Sequence, residues 1–320
     1  MRLQSPYELE RRRRMVNLFI SNTDNRWFDF LHRRSPHQEV NFWQPSATNF
    51  RAVSSGEFFV FRLKSPRNVI GGFGVLSSAA ILPIQIAWDS FREGNGVSSL
   101  DEFVGFIQDY RKDHRVGPQT LIGCRVLTQP IFLDEHQWWD LPPSWSKNIV
   151  GGKTYPTSEP EGYALWMKLD ELLTAHQEAP GMSEEAARYG GPQLIKPRLG
   201  QGSFRVSVIE AYNHQCALTD GRVLPALEAA HIKPYSDGGK HARPNGILLR
   251  RDIHSVFDSG YAMIDEHYRF VVSERVKTVF NNGNEYRRLH GQRLRLPDDP
   301  ADHPNREYLR WHAEKRFEAV

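Results

Sequence analysis

Between residues 228 and 258 the chain reads EAAHIKPYSDGGKHARPNGILLRRDIHSVFD, and no other stretch limits so tightly what it can fold into. LPALEAAHI has the apolar run of a strand, and GILL is a second short strand. YSDGGKHARPNG between them is a loop by composition. RRDIHSVFD then sets Ile253, Val256 and Phe257 at helical spacing. The order is strand, loop, strand, helix. His231 ends the first strand, Asn245 ends the loop, and His254 and Asp258 lie one turn apart on the helix.

This layout resembles the HNH endonucleases of the ββα-metal type, specifically those whose motif opens AHI and closes H-x-x-x-D. The resemblance implies hydrolysis of a phosphodiester. That reaction needs a nucleophilic water, a base to deprotonate it, and a cation for the charge that builds on the phosphoryl group and leaving oxygen. His231 would be the base, because an imidazole titrates close to working pH. His254 and Asp258, at i and i+4, share a helix face with Cβ atoms about 5–6 Å apart, and together could hold one divalent ion. In the family's role, Asn245 ties the loop by hydrogen bonds and so orients His231. A mixed His/carboxylate set suits Mg²⁺ or Mn²⁺, with Ni²⁺ or Zn²⁺ as alternatives.

The chain departs from the pattern at one place. Many HNH enzymes carry a metal-binding Asp directly before the catalytic His, and here that residue is Ala230. Glu228, two residues back on the same face of the strand, is the nearest acid. The metal is therefore assigned to His254 and Asp258, with Glu228 a lesser candidate. Any one of these residues alone is more often structural than catalytic. Their joint order and spacing carry the reading.

At 320 residues the chain is expected to form two domains. Its 39% hydrophobic and 12% aromatic content can bury proper cores and excludes wholesale disorder. A net charge of +3 is mildly basic and favours a polyanionic partner, though local clusters matter more than the total. Cys124 and Cys216 are the 2 cysteines, and with no CxxC pair they argue against a structural zinc ribbon and for free thiols in a reducing cytosol. MRLQSPYELERRRRMVNLFI has arginines but no long apolar run, and no segment approaches the length of a membrane span. A soluble, cytoplasmic protein with no membrane partner is expected.

The expected fold class is α+β, with domain boundaries at residues 1–175 and 201–320 and a partly structured linker over 176–200. In the linker, MSEEAARYGG is expected to form one short helix closed by Gly190-Gly191. In the first domain MVNLFIS, FFVFRLKS, IGGFGVLSSAAIL, LIGCRVLTQPIFL and GYALWMKL read as strands. NRWFDFLHRR and SSLDEFVGFIQDYRKDH read as helices, the second opened by Ser98 or Ser99. Five or so strands with inserted helices suggest a small closed or half-closed barrel.

SSGEFFVFRL, NVIGGFGVL, PIQIAWDSF and NIVGGKTYP resemble phrases of the EVE domain, a branch of the PUA-like β-barrels. That resemblance is diffuse and spans about half of the chain. It implies recognition of a modified base extruded from duplex DNA into an aromatic pocket. A flipped base needs stacking surfaces and a few polar groups at its edge. Trp43, Trp88, Trp138 and Trp139 are stacking candidates, and Asn41 and Gln44 are candidate edge readers. Most tryptophans in a barrel are core. Trp43 is preferred because NFWQP reads as a polar, Pro-terminated loop.

RLGQGSFRVSVIEAY opens the second domain, with a lead-in similar to that of HNH family members. Arg198, Gln201 and Arg205 are candidates for phosphate contacts, with a solvated basic edge as the equal alternative. Arg287, Arg288, Arg293 and Arg295 form a further basic cluster. GYAMIDEHYRFVVSERV reads as a hairpin with DEHY at its turn.

A base reader joined to an HNH nuclease resembles a modification-dependent restriction endonuclease, acting on double-stranded DNA that carries 5-methyl- or 5-hydroxymethylcytosine. One such site cuts one strand, so a double-strand break implies a homodimer or two molecules meeting on DNA. The alternatives are an HNH nuclease with no modification requirement and a non-catalytic reader of modified nucleic acid. Ala230 keeps the last one open.

Overall fold

The computed structural model describes residues 16–177, 192, 194–195 and 197–318. The expected helix over MSEEAARYGG lies outside the described residues. The chain divides into two compact units, Met1–Arg198 and Leu199–Val320. The first unit reaches past the expected boundary near 175. Ile195 is buried in its core, and its backbone N–H donates to the Gly56 carbonyl at 2.9 Å.

The first unit is built on a six-stranded sheet. Its strands are β1 (Asn17–Thr23), β2 (Glu39–Gln44), β3 (Phe58–Leu63), β4 (Ile70–Pro83), β5 (Leu121–Phe132) and β6 (Gly152–Pro156), in spatial order β2-β5-β4-β3-β1-β6. β1 and β3 run parallel and every other pair is antiparallel. FFVFRL in β3 has no polar alternation because both its faces are covered. Phe58 and Val60 join one core with Leu18, Ile20, Phe73 and Tyr155. Phe59, Phe61 and Leu63 join a second core with Trp27, Phe28 and Leu31.

Helix α1 (Asn25–His32) covers the second face, and Asp24 caps it by accepting from Arg26 N–H at 2.8 Å. Helices α2 (Ile84–Phe91) and α3 (Leu100–Arg111) lie between β4 and β5. Ser99 caps α3 as the sequence suggests, accepting from Glu102 N–H at 3.1 Å.

Two expectations fail in this unit. GYALWMKL, read as a strand, lies in helix α4 (Pro160–Gln177). Leu165, Trp166, Leu169 and Leu173 share one helical face and bury against the first core, so a 3.6-residue period was present under the aromatic run. NFWQ, read as a loop, lies in β2 and pairs with β5, Trp43 opposite Cys124. That pairing is non-local, and nothing in the polar flanks of NFWQP announces it.

The second unit opens with α5 (Gln201–Ala211). The antiparallel pair β7 (Leu227–His231) and β8 (Gly246–Arg250) leads directly into α6 (Arg251–Asp258). Strands β9 (Ala262–Ile264) and β10 (Phe270–Val272) form the expected hairpin. Helices α7 (Arg275–Phe280), α8 (Asn284–Arg287) and α9 (Arg306–Lys315) follow. Ile253 and Phe257 of α6, Phe204 and Val208 of α5, and Ile247 and Leu249 of β8 are fully sealed. They fix the strand-strand-helix frame that presents the motif residues. Among the described residues, no helix is long and apolar enough to cross a membrane.

Candidate active site

His231 ends β7 directly across from Gly246 in β8. A Cβ at Gly246 would stand 2.4 Å from Val208 Cγ2 and 2.9 Å from Phe204 Cζ, so only glycine lets α5 pack this close. The space so left admits the Phe204 ring, which stacks on His231 with centroids 3.8 Å apart. This burial, together with nearby His241 and His254, pushes the His231 pKa down to about 4. The imidazole is uncharged at neutral pH and keeps a lone pair.

Asn245 is fully buried and saturated with hydrogen bonds. Its Oδ1 accepts from Lys233 N–H at 2.9 Å, and its Nδ2 donates to the carbonyls of Lys233 and Lys240, both at 2.9 Å. The Asn245 carbonyl also accepts from Ile232 N–H at 3.0 Å. One side chain thus closes the loop that follows His231 onto itself.

His254 Nδ1 lies 2.8 Å from Glu228 Oε2. A carboxylate only accepts, so Nδ1 carries a proton and Nε2 is the nitrogen left to face a ligand. That Nε2 lies 3.9 Å from Asp258 Oδ2. Glu228 Oε1 in turn pairs with Arg251 Nε at 3.0 Å. A histidine whose far nitrogen is committed to a carboxylate is the usual arrangement around a bound metal. The donor set of His254 Nε2 and the Asp258 carboxylate therefore fits a divalent ion. Among the described residues, no group of three or more His, Cys, Asp and Glu stands together in metal-holding geometry. Ala230, where many HNH enzymes have a carboxylate, is sealed in the core.

The basic candidates divide. Arg198, Gln201 and Arg288 are exposed, and Arg205 is half-buried on α5. Arg287 reaches Glu274 at 3.5 Å and Arg295 reaches Asp220 at 3.4 Å, so two of the four C-terminal arginines have acidic neighbours.

In the first unit a cavity of about 440 Å³ opens beside β2, lined by Trp27, Phe42, Trp43, Phe50 and Tyr110 together with Asp24, Gln44, Lys64 and Arg125. Of the base-pocket candidates, Trp43 and Gln44 are in its wall and Asn41 and Trp88 are not. Asn41 is fully buried, and its Nδ2 donates to Asn95 Oδ1 at 2.9 Å. Trp88 is half-buried on α2. Trp138 packs against both cores and Trp139 against the first. Gln44 is already engaged, its Oε1 accepting from Arg125 Nη2.

The polar wall of this cavity comes from Asp24 and Tyr110, which sequence reasoning missed. Their hydrogen bond joins α1 to α3. Burial works to raise the Asp24 pKa, but the Tyr110 hydroxyl, the Arg26 N–H, Lys64 and Arg26 outweigh it and hold the carboxyl below its ordinary value. Burial and the Asp24 carboxylate push the Tyr110 phenol up to about 12. Burial lowers the Arg125 guanidinium to about 10, and its ion lies 4.5 Å over the Phe50 ring. Asp24 reads in sequence only as a helix cap, which it also is.

Residues 216–265, which contain β7, β8, α6 and β9, match the family model of the HNH endonucleases. The chain thus joins an N-terminal α+β sheet unit to a C-terminal HNH nuclease unit. No curated protein matches the chain in sequence. Among solved structures it is similar to ASCH from Zymomonas mobilis, with 10% identity over 47% of this chain and 94% of that one, at a TM-score of 0.33. It is also similar to the modification-dependent TagI restriction endonuclease, with 12% identity over 89% of this chain and 78% of that one, at a TM-score of 0.29. Likenesses this loose place no activity or ligand on this chain.

Proposed function

We propose that this protein is a modification-dependent DNA endonuclease. Its first unit reads a modified cytosine, 5-methyl or 5-hydroxymethyl, flipped out of duplex DNA, and its HNH unit then hydrolyses a phosphodiester. One observation carries the nuclease half. A single strand-strand-helix frame holds an uncharged imidazole, His231, and a second imidazole, His254, whose Nδ1 is committed to Glu228.

In this reading His231 takes a proton from water, whose oxygen attacks phosphorus as the bond to the leaving oxygen breaks. Asn245 holds the loop that orients His231 and does no chemistry itself. His254 and Asp258 would hold the divalent ion, Mg²⁺ or Mn²⁺ with Ni²⁺ or Zn²⁺ as alternatives, which supplies positive charge for the phosphoryl group and leaving oxygen. Glu228 fixes the His254 ring and is not itself a ligand. Arg198, Gln201, Arg205, Arg287 and Arg288 are assigned to the DNA backbone.

The aromatic cavity supports the reader half. Its volume of about 440 Å³ falls within the roughly 300–1,000 Å³ of small-molecule sites. Trp43 and Phe50 offer stacking faces, and the charged Asp24 carboxylate can accept from the exocyclic amine of cytosine. One HNH site cuts one strand, so double-strand cleavage would need a homodimer or two molecules on DNA. The two buried cysteines, neither in a disulfide, suit the reducing cytoplasm where such an enzyme would meet foreign DNA.

The nuclease half is tested by incubating the full chain with supercoiled plasmid in Mg²⁺ or Mn²⁺, with a chelator control. Nicking that needs the ion and disappears in His231→Ala supports it. Nicking that survives either change overturns it.

A further inference from the structure

His231 has two ring nitrogens, and one of them is already engaged. Its Nε2 lies 3.0 Å from His241 Nδ1. Two ring nitrogens this close are joined by one proton, and two arrangements satisfy the distance. If His241 Nδ1 holds the proton, His231 Nε2 accepts it, and the proton of His231 itself sits on Nδ1. No lone pair then remains to deprotonate water. If His231 Nε2 holds the proton and donates it, His231 Nδ1 is bare. Only this second arrangement leaves a base.

We propose that His241 is a positioning residue of the nuclease site: its Nδ1 accepts from His231 Nε2–H, which fixes His231 in the tautomer whose Nδ1 receives the proton of the attacking water. This rests on the nuclease reading above.

The loop around His241 is built to hold that nitrogen in place. The His241 ring stacks on Tyr235, centroids 4.9 Å apart and nearly parallel at 6°. The carbonyl of the preceding residue, Lys240, is pinned by Asn245 Nδ2 at 2.9 Å. Gly239 closes the turn by donating to Pro234 O at 2.9 Å, and a Cβ there would lie 1.9 Å from Lys233 O. Asn245 therefore fixes both histidines, one through Lys233 and one through Lys240. The other neighbours of His231 are Phe204 of α5, stacked on its face, and His254 of α6. Neither accepts a proton from Nε2. Once His231 has taken its second proton, the imidazolium Nε2–H still meets a lone pair, so the charge formed in the reaction is stabilised where it appears.

The test uses two variants of the full chain that divide the features of His241. His241→Phe keeps a ring against Tyr235 and loses the acceptor. His241→Asn loses the ring and keeps an acceptor near the Nδ1 position. We expect His241→Phe to lower kcat for plasmid nicking by about 10–100-fold, the usual cost of losing a supporting hydrogen bond, with KM and the metal requirement unchanged. His241→Asn should retain most of kcat. The reverse ranking, with Phe active and Asn impaired, would mean that His241 is packing only and would overturn the proposal. Nitrogen-15 spectra of the His231 ring give a readout independent of cleavage. The proton should sit on Nε2 in the wild type and move partly to Nδ1 in His241→Phe. A wild-type proton on Nδ1 overturns the tautomer assignment while leaving the nuclease reading standing. A wild-type chain that never nicks DNA removes the nuclease reading and, with it, the role of His241.

Discussion

His254 Nδ1 on helix α6 is bound to Glu228 Oε2 on strand β7 at 2.8 Å, so the imidazole proposed to hold the metal is aimed by the strand that ends in the proposed base, His231. Glu228→Ala should free the ring and raise the metal concentration needed for nicking by about 10–100-fold, while kcat at saturating metal stays near wild type. Glu228→Gln keeps an acceptor and should fall between the two. A metal titration of nicking checks this, and an unchanged requirement in Glu228→Ala would remove Glu228 from the site. Asp258→Ala, which deletes a donor outright, should weaken ion binding by calorimetry as well.

His231→Ala should reduce the cleavage rate by about 10²–10⁴-fold, the usual cost of losing a general base. DNA affinity and thermal stability should change little, because the side chain is only half-buried. Single-turnover cleavage alongside a binding titration separates the two effects.

Asn245→Ala should behave differently. It leaves Lys233 N–H and the Lys233 and Lys240 carbonyls without the buried partner they now share. An unsatisfied buried polar group costs about 1–3 kcal/mol, so a clear fall in the unfolding midpoint is expected. Cleavage should drop with it, while the metal requirement of the residual activity stays the same.

His231, Asn245, His254 and Asp258 were legible because each takes its place from local structure: a strand end, a loop end, and one helix face. The partners they meet in the fold were not. Glu228 was visible two residues before Ala230, but that its carboxylate turns to His254 depends on how α6 crosses β7. The closeness of His241 to His231 depends on the Gly238-Gly239 turn and on Asn245 drawing the loop in. Gly246 follows Asn245 as a plain loop glycine in the sequence, and only the Val208 and Phe204 side chains of α5 explain it. The cavity of the first unit was least legible. Its wall is drawn from α1, β2, α3, β5 and the segment around Phe50, which meet only through non-local strand pairing. Helix α4 was hidden for a related reason: an apolar aromatic run reads as a strand until it is known which face meets a core.

Stability should fall in mild acid. His312 of α9 is buried, its ring stacked 3.8 Å from Phe257 of α6, with Nε2 donating to the Phe257 carbonyl at 3.2 Å. Burial pushes its pKa down from 6.5 to about 4 against the opposing bond to Phe257, and Arg316 adds to the lowering. Below pH 6.5 the unfolded chain binds this proton and the folded chain does not, so stability falls as pH drops. The loss from His312 is about 3 kcal/mol by the time pH reaches about 4, and His231 shifts in the same direction. Urea unfolding across this range checks it. His312→Phe, which keeps the stack and cannot titrate, should flatten the acid slope, and an unaltered slope would exclude His312 as its source.

The cavity in the first unit should be sensitive to charge. Asp24→Asn keeps a cap for α1 but removes the carboxylate beside Tyr110. Binding of modified duplex by a His231→Ala background should weaken, while the salt-sensitive, nonselective binding that comes from phosphate contacts remains. Equal loss on modified and plain DNA would mean that Asp24 serves the fold and not the reader.

The most direct measurement is cleavage of three otherwise identical plasmids by the full chain in Mg²⁺ or Mn²⁺: one unmodified, one with 5-methylcytosine, one with 5-hydroxymethylcytosine. The account expects cutting of at least one modified plasmid, little or none of the unmodified one, and none of any by His231→Ala. Equal cutting of all three would contradict the reader and leave a plain HNH nuclease. Selective binding of modified DNA with no cutting in any metal would contradict the nuclease and leave a reader alone.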